Sequence, residues 1–204
     1  MLAILRKSRL KDQEMRVLML GLDNAGKTTI VKHVMGEDVK TVSPTLGFII
    51  KTIDYKGYVQ SGMWLVERDV GGQKTLRSYW RNYFEKTDSL IWVVDATDRF
   101  RLNDCRTELH GLLQEERLLG ASLLVFANKA DVSGCMTETE ITQGLNLNDI
   151  KTHKWTIFSC SAITGKNISE GLDWVVGDAQ ERLFLYNGLG GGSATADTAK
   201  GQSS

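Results

Sequence analysis

A chain of 204 residues is the size of one ordinary domain, with room for a substantial core. Its hydrophobic fraction of 42% and charged fraction of 25% are those of a globular protein, and 25 basic side chains against 25 acidic ones leave no net charge to recommend a nucleic-acid partner. No apolar run approaches the roughly 18 residues of a membrane span, and Cys105, Cys135 and Cys160 form no CxxC pair and have no histidine at zinc spacing, as expected of reduced thiols in a cytosolic protein.

In residues 1–14, Leu2, Ile4, Leu5 and Leu10 alternate with Arg6, Lys7, Arg9 and Lys11 in the pattern of an amphipathic helix. Position 2 is Leu, so the myristoylation pattern M-G-x-x-x-[ST] is absent and no stable membrane anchor is expected. The helix reads as a weak interfacial element or as one packed on its own domain or in a partner's groove. The second is favoured, because a few apolar residues without an acyl chain give only marginal membrane affinity.

From residue 15 to 186 apolar runs alternate with helical patterns. MRVLMLG (15–21), FIIKTIDY (48–55), SLIWVVDA (89–96), SLLVFANK (122–129) and KWTIFSCS (154–161) read as strands. Residues 27–35, 101–117, 137–144 and 168–185 read as helices. This alternation predicts an α/β fold: a six-stranded, mostly parallel sheet with helices on both faces. YKGY (55–58) suggests a tight turn, making 48–69 an antiparallel hairpin at the sheet edge. From Asn187 to the end the Gly/Ser-rich sequence has little to bury and reads as a disordered tail.

GLDNAGKTT (21–29) follows the first strand and opens the first helix, matching G-x-x-x-x-G-K-[ST]. Glycines let the backbone wrap a phosphate. The N–H groups of Asn24, Ala25 and Gly26, and of Lys27, Thr28 and Thr29 at the helix start, supply partial positive charge. Lys27 adds a full charge at the terminal phosphates, and the Thr28 hydroxyl suits Mg²⁺. A glycine-rich turn alone would not require Lys-Thr. In DVGGQ (69–73), Asp69 can hold the same Mg²⁺ through water, Gly72 can bring an N–H to the γ-phosphate, and Gln73 can position a water in line with the phosphorus.

NKAD (128–131) ends the strand at 122–127, where such sheets bind ligands. A carboxylate at Asp131 fits the paired N1–H and amine of guanine and would be left unpaired by adenine. Asn128 belongs to the same base site, and the stem of Lys129 can cover the base plane. In CSAITG (160–165), Ser161 and Ala162 follow another strand, and the Ala162 N–H can meet the guanine carbonyl. NKxD is short, and only its order after the other two motifs makes it specific.

GLDNAGKT, SPTLGF (43–48), DVGGQ, RSYWRNYF (77–84), NKAD and CSA, in that order, resemble the Arf family of small GTPases from residue 1 to about 186. The resemblance implies a regulatory protein that cycles between GDP and GTP and hydrolyses GTP slowly with Mg²⁺. It makes Thr45 the switch threonine completing Mg²⁺ coordination with GTP bound, places the second switch at about 69–84, and implies that the 48–69 hairpin slides between states. Effectors would read Phe48, Tyr79 and Tyr83. Tubulin folding cofactor D, carriers of lipid-modified proteins, and activating and exchange factors are the implied partners of a monomer that is cytoplasmic, with microtubule or centrosome association.

One stretch departs from the family. VQSGMWLVER (59–68) is about five residues longer than the family's strand, and Glu67 and Arg68 stand where Ile and Trp are typical. Burying an unpaired Glu costs several kcal/mol. A bulge around Ser61–Gly62 would carry Glu67 to solvent. Otherwise the stretch is intron read as coding sequence, which a transcript encoding 59–68 intact would exclude. A third consequence is a module that holds nucleotide without switching. A metabolic P-loop kinase is the remaining alternative, but no segment here is large enough for a second substrate lid.

Overall fold

The computed structural model describes residues 15–40, 48–53, 63–69 and 87–189. The strands are β1 (Arg16–Gly21), β2 (Phe48–Ile53), β3 (Met63–Asp69), β4 (Ser89–Asp95), β5 (Ser122–Asn128) and β6 (Trp155–Ser159). The α-helices are α1 (Lys27–Val34), α2 (Leu102–Leu113), α3 (Glu138–Gly144) and α4 (Ile168–Leu189). Among the described residues the strands form one sheet in the order β2-β3-β1-β4-β5-β6, with β2 antiparallel to β3 and every other pairing parallel.

β4 and β5 have almost every residue buried, because helices cover both faces. Alternate residues divide between two cores. Leu18, Leu90, Trp92, Leu123 and Val125 pack with Leu109 of α2 and Ile141 of α3. Val17, Met19, Ile91, Val93, Leu124 and Phe126 pack with Ile30 of α1 and Leu172 and Val175 of α4. The cores lock β1, β4 and β5, and with them the loops at their carboxyl ends.

Two element ends differ from the sequence reading. The pattern at 101–117 predicts one helix, but α2 stops at Leu113, Glu115 is extended, and Glu116–Leu118 forms a separate 3-10 turn. Leu118 is fully buried in the first core, which is why the apolar periodicity runs on past the helix. α4 continues to Leu189, three residues into the segment expected to be a tail, since the glycine run that would stop it begins only at Gly190. Residues 190–204, the helix at 2–11, the turn at 55–58 and the bulge at Ser61–Gly62 lie outside the described residues.

Within β3 the pairing is unbroken. Met63 to Arg68 run in register with Ile53 to Phe48, and Trp64 to Asp69 with Arg16 to Gly21. Glu67 therefore stands opposite Met19 and Arg68 opposite Leu20, with no bulge between 63 and 69.

Candidate nucleotide site

β1 ends at Gly21, where the chain passes so close to β4 that a Cβ would lie 2.2 Å from the Val93 carbonyl oxygen. The loop then turns through Asn24 (φ 59°) and Gly26 (φ 92°) into α1. A Cβ on Gly26 would lie 2.2 Å from Asn128 Nδ2, so this residue must be glycine for the loop to sit against the end of β5. Lys27 is 3% exposed, and its ammonium donates to the Gly21 carbonyl (3.1 Å) and the Leu22 carbonyl (2.7 Å). α1 has no side-chain cap and no acid in its first turn. A buried cation inside a loop at an uncapped helix start is suited to a phosphate chain.

Asn128, 1% exposed, joins three segments. Its Nδ2 donates to the Ala25 carbonyl (2.8 Å), and its Oδ1 accepts the Ala162 N–H (2.9 Å). The sequence reading gives that N–H to the guanine carbonyl; here it goes to Asn128, and the asparagine acts as a brace across the site. Lys129 (φ 67°) sends its ammonium to the Asp95 carboxylate at 2.6 Å, which fixes the side chain at the site's rim. Burial pushes Asp95 up, but hydrogen bonds from Lys129 and Thr97 outweigh it and hold its carboxyl below the ordinary 3.8. Asp95 and Thr97 are contributors that no motif in the sequence marks.

Asp131 is exposed and makes no hydrogen bond or ion pair among the described residues, leaving its carboxylate available for a base edge. Ser161 is buried, and its Oγ accepts the Thr164 N–H (3.2 Å), shaping the turn that carries Ala162. Cys160 is fully buried, its Sγ donating to Asn128 Oδ1 (3.8 Å), and burial, then the charge of Asp131, pushes its thiol far above the usual range. Thr28 and Thr29 lie in the first turn of α1. Asp69 ends β3 opposite Gly21, and Phe48 begins β2 opposite Arg68. Thr45, Gly72, Gln73, Tyr79 and Tyr83 lie outside the described residues.

A sequence profile described as the ADP-ribosylation factor family matches residues 1–179. ADP-ribosylation factor-like protein 2 of Dictyostelium discoideum is 55% identical over 187 residues, spanning 92% of this chain and 99% of that protein. The protein of the same name from Drosophila melanogaster is 55% identical over 91% of this chain and 98% of its own. The protein alp41 of Schizosaccharomyces pombe is 52% identical over 89% and 95%. Among solved structures, the Arl6 BBS3 small GTPase from Trypanosoma brucei, with bound nucleotide analogue GppNp, superposes with a TM-score of 0.70 at 30% identity, over 82% of this chain and 98% of that one.

Proposed function

Because the chain belongs to the ADP-ribosylation factor family, and is an Arf-like small GTPase that binds guanine nucleotides and hydrolyses GTP, we propose that it is a switch in tubulin folding and microtubule biogenesis and in releasing lipid-modified cargo from carriers. The observation that carries the nucleotide chemistry is the single brace of Asn128, which ties the phosphate loop at Ala25 to the base loop at Ala162. Support for the cellular role is the likeness to Arf-like protein 2 over nine-tenths of the chain. Tubulin folding cofactor D and lipid-cargo carriers are then the effectors, and the place of action is the cytoplasm, with microtubule or centrosome association.

The chemistry divides among few groups. Asp131 takes the two N–H donors of the guanine edge, with the Lys129 stem over the base. Lys27 and the N–H groups from Asn24 to Thr29 hold the phosphates. Thr28, Thr45 and Asp69 are hard oxygen donors suited to Mg²⁺, and the register of Asp69 opposite Gly21 brings it to the start of the phosphate loop. Mg²⁺ when bound supplies charge that offsets the charge developing on the phosphoryl oxygens. In this reading Gln73 is the residue that would orient the attacking water, and Gly72 the one whose N–H would serve the γ-phosphate. Hydrolysis stays slow until a partner adds a cation, an effect of about 10³–10⁵ in rate.

Calorimetry with GDP, GTP and ATP in Mg²⁺ tests the site: guanine nucleotides bind and ATP does not, and Asp131→Ala loses the preference. A preference for ATP refutes it. The switch is tested by affinity for tubulin folding cofactor D in the GDP and GTP-analogue forms, which differ if the proposal holds. A second reading, a module that holds nucleotide without switching, is favoured by the unbroken pairing that fixes Glu67 opposite Met19. Equal effector affinities in the two forms would select it.

A further inference from the structure

Arg101 stands at the start of α2, yet its side chain reaches the phosphate loop, 78 positions earlier. Its Nη1 donates to the Asp23 carboxylate (2.9 Å), and its Nη2 donates to the Asp23 main-chain carbonyl (3.3 Å). Its Nε donates to the Asp98 carboxylate (2.6 Å), which also accepts the Arg101 main-chain N–H (3.1 Å). One planar fork is thus held by Asp98 and holds Asp23 at two points. The hydrogen bond from Arg101 keeps Asp98 below the usual carboxylate range.

Asp23 is an odd residue for its place. It lies between Gly21 and Lys27, in a loop that gathers donors for an anion, and the first turn of α1 contains no acid. A carboxylate in such a loop repels a bound phosphate, an effect that solvent and salt screen in part because the Asp23 side chain is largely exposed. The bond to its carbonyl also fixes the loop just before Asn24, the residue that turns left-handed.

We propose that Arg101 is a positioning residue for the nucleotide's phosphates, neutralising Asp23 and holding its main chain so that the loop offers N–H groups rather than a carboxylate. This rests on the reading of residues 21–29 as the phosphate site. It requires that Arg101 matter for GDP and GTP and be indifferent for guanosine, which has the base and no phosphate.

The test uses the full chain with Mg²⁺, following release of fluorescent GDP and calorimetric binding of GDP and guanosine. Arg101→Ala speeds GDP release about tenfold, more at low salt, where the exposed carboxylate is less screened. Adding Asp23→Asn recovers at least half of that loss, the coupling expected of two groups in contact. Guanosine affinity stays as in the wild type. GDP release unchanged in Arg101→Ala, equal weakening of GDP and guanosine, or a double variant no better than the single one would each overturn the role of Arg101. If Arg101→Ala does not fold, Arg101→Lys keeps the charge without the fork and is expected to speed release about threefold; an unchanged rate overturns the proposal. Wild-type protein that binds neither GDP nor GTP refutes the phosphate site itself and this role with it.

Discussion

Buried polar groups gather at both ends of the sheet, and the two ends use them differently. At the amino ends of β4 and β5 the chain answers its own groups. Ser89 Oγ and Ser122 Oγ pair at 2.8 Å. Arg182 of α4 donates to the carbonyls of Gly120 (2.8 Å) and Asp88 (3.0 Å). The carboxylate of Asp178, 4% exposed, meets Arg182 and Lys154 at 2.8 Å each, as charge contacts rather than aligned hydrogen bonds. At the carboxyl ends the answer is partial: Asn128 braces two loops, while α1 starts without a side-chain cap and the carboxylate of Asp131 is exposed. One end closes the domain and the other leaves donors and acceptors for a ligand.

If that division holds, substitutions at the two ends separate affinity from stability. The largest effect belongs to Asn128→Ala, which strands the Ala25 carbonyl and the Ala162 N–H. At about 1–3 kcal/mol for each unsatisfied group, the ligand-free protein should lose about 2–4 kcal/mol in denaturant unfolding, and GDP affinity should fall about a hundredfold by calorimetry. Arg182→Ala leaves Asp178 with Lys154 alone and should cost about 2–3 kcal/mol, less than a fully buried pair because Arg182 is partly exposed. GDP affinity should not change, and a parallel loss there would break the contrast. Ser122→Ala leaves Ser89 without its partner and should cost about 1 kcal/mol, whereas the double change Ser89→Ala/Ser122→Ala should cost less than the single one.

The smallest effect is one of pH. His153 is buried, with Nε2 donating to the Leu118 carbonyl (3.1 Å) and Nδ1 accepting from Thr152 Oγ1 (2.8 Å). Burial lowers its pKa below the ordinary 6.5, against the opposing Leu118 bond. The unfolded chain therefore binds a proton first. The histidine's contribution to stability is complete above pH 6.5 and declines as pH falls from there through the lowered folded value. Melting temperatures over that window should fall in the wild type and stay flatter in His153→Gln.

What the sequence disclosed follows from distance along the chain. The phosphate loop is legible because its glycines, Lys27 and Thr28 act within nine consecutive residues. β4 and β5 are legible because burial on both faces demands continuous apolar runs. Pairings such as Arg101 with Asp23, Lys129 with Asp95 and Asn128 with Ala25 join positions 34 to 103 apart, and only the folded sheet brings them together. Asn128 was placeable at the base site by its motif, but its two amide bonds depend on where Ala25 and Ala162 come to lie. Leu118 extends a helical rhythm that the chain has already left, since periodicity registers burial and not backbone angles.

The position of Arg182 has a consequence for biosynthesis. The guanidinium that ties the amino ends of β4 and β5 to α4 belongs to the last helix, as do Leu172 and Val175 under Phe126. A nascent chain that has emerged only as far as β6 has all the described strands of the sheet, but only α1 covers the face that α4 completes, and the Gly120 and Asp88 carbonyls have yet to meet the Arg182 guanidinium. Closure then waits for α4, so a ribosome stalled before residue 182 would hold an open, adhesive half-domain.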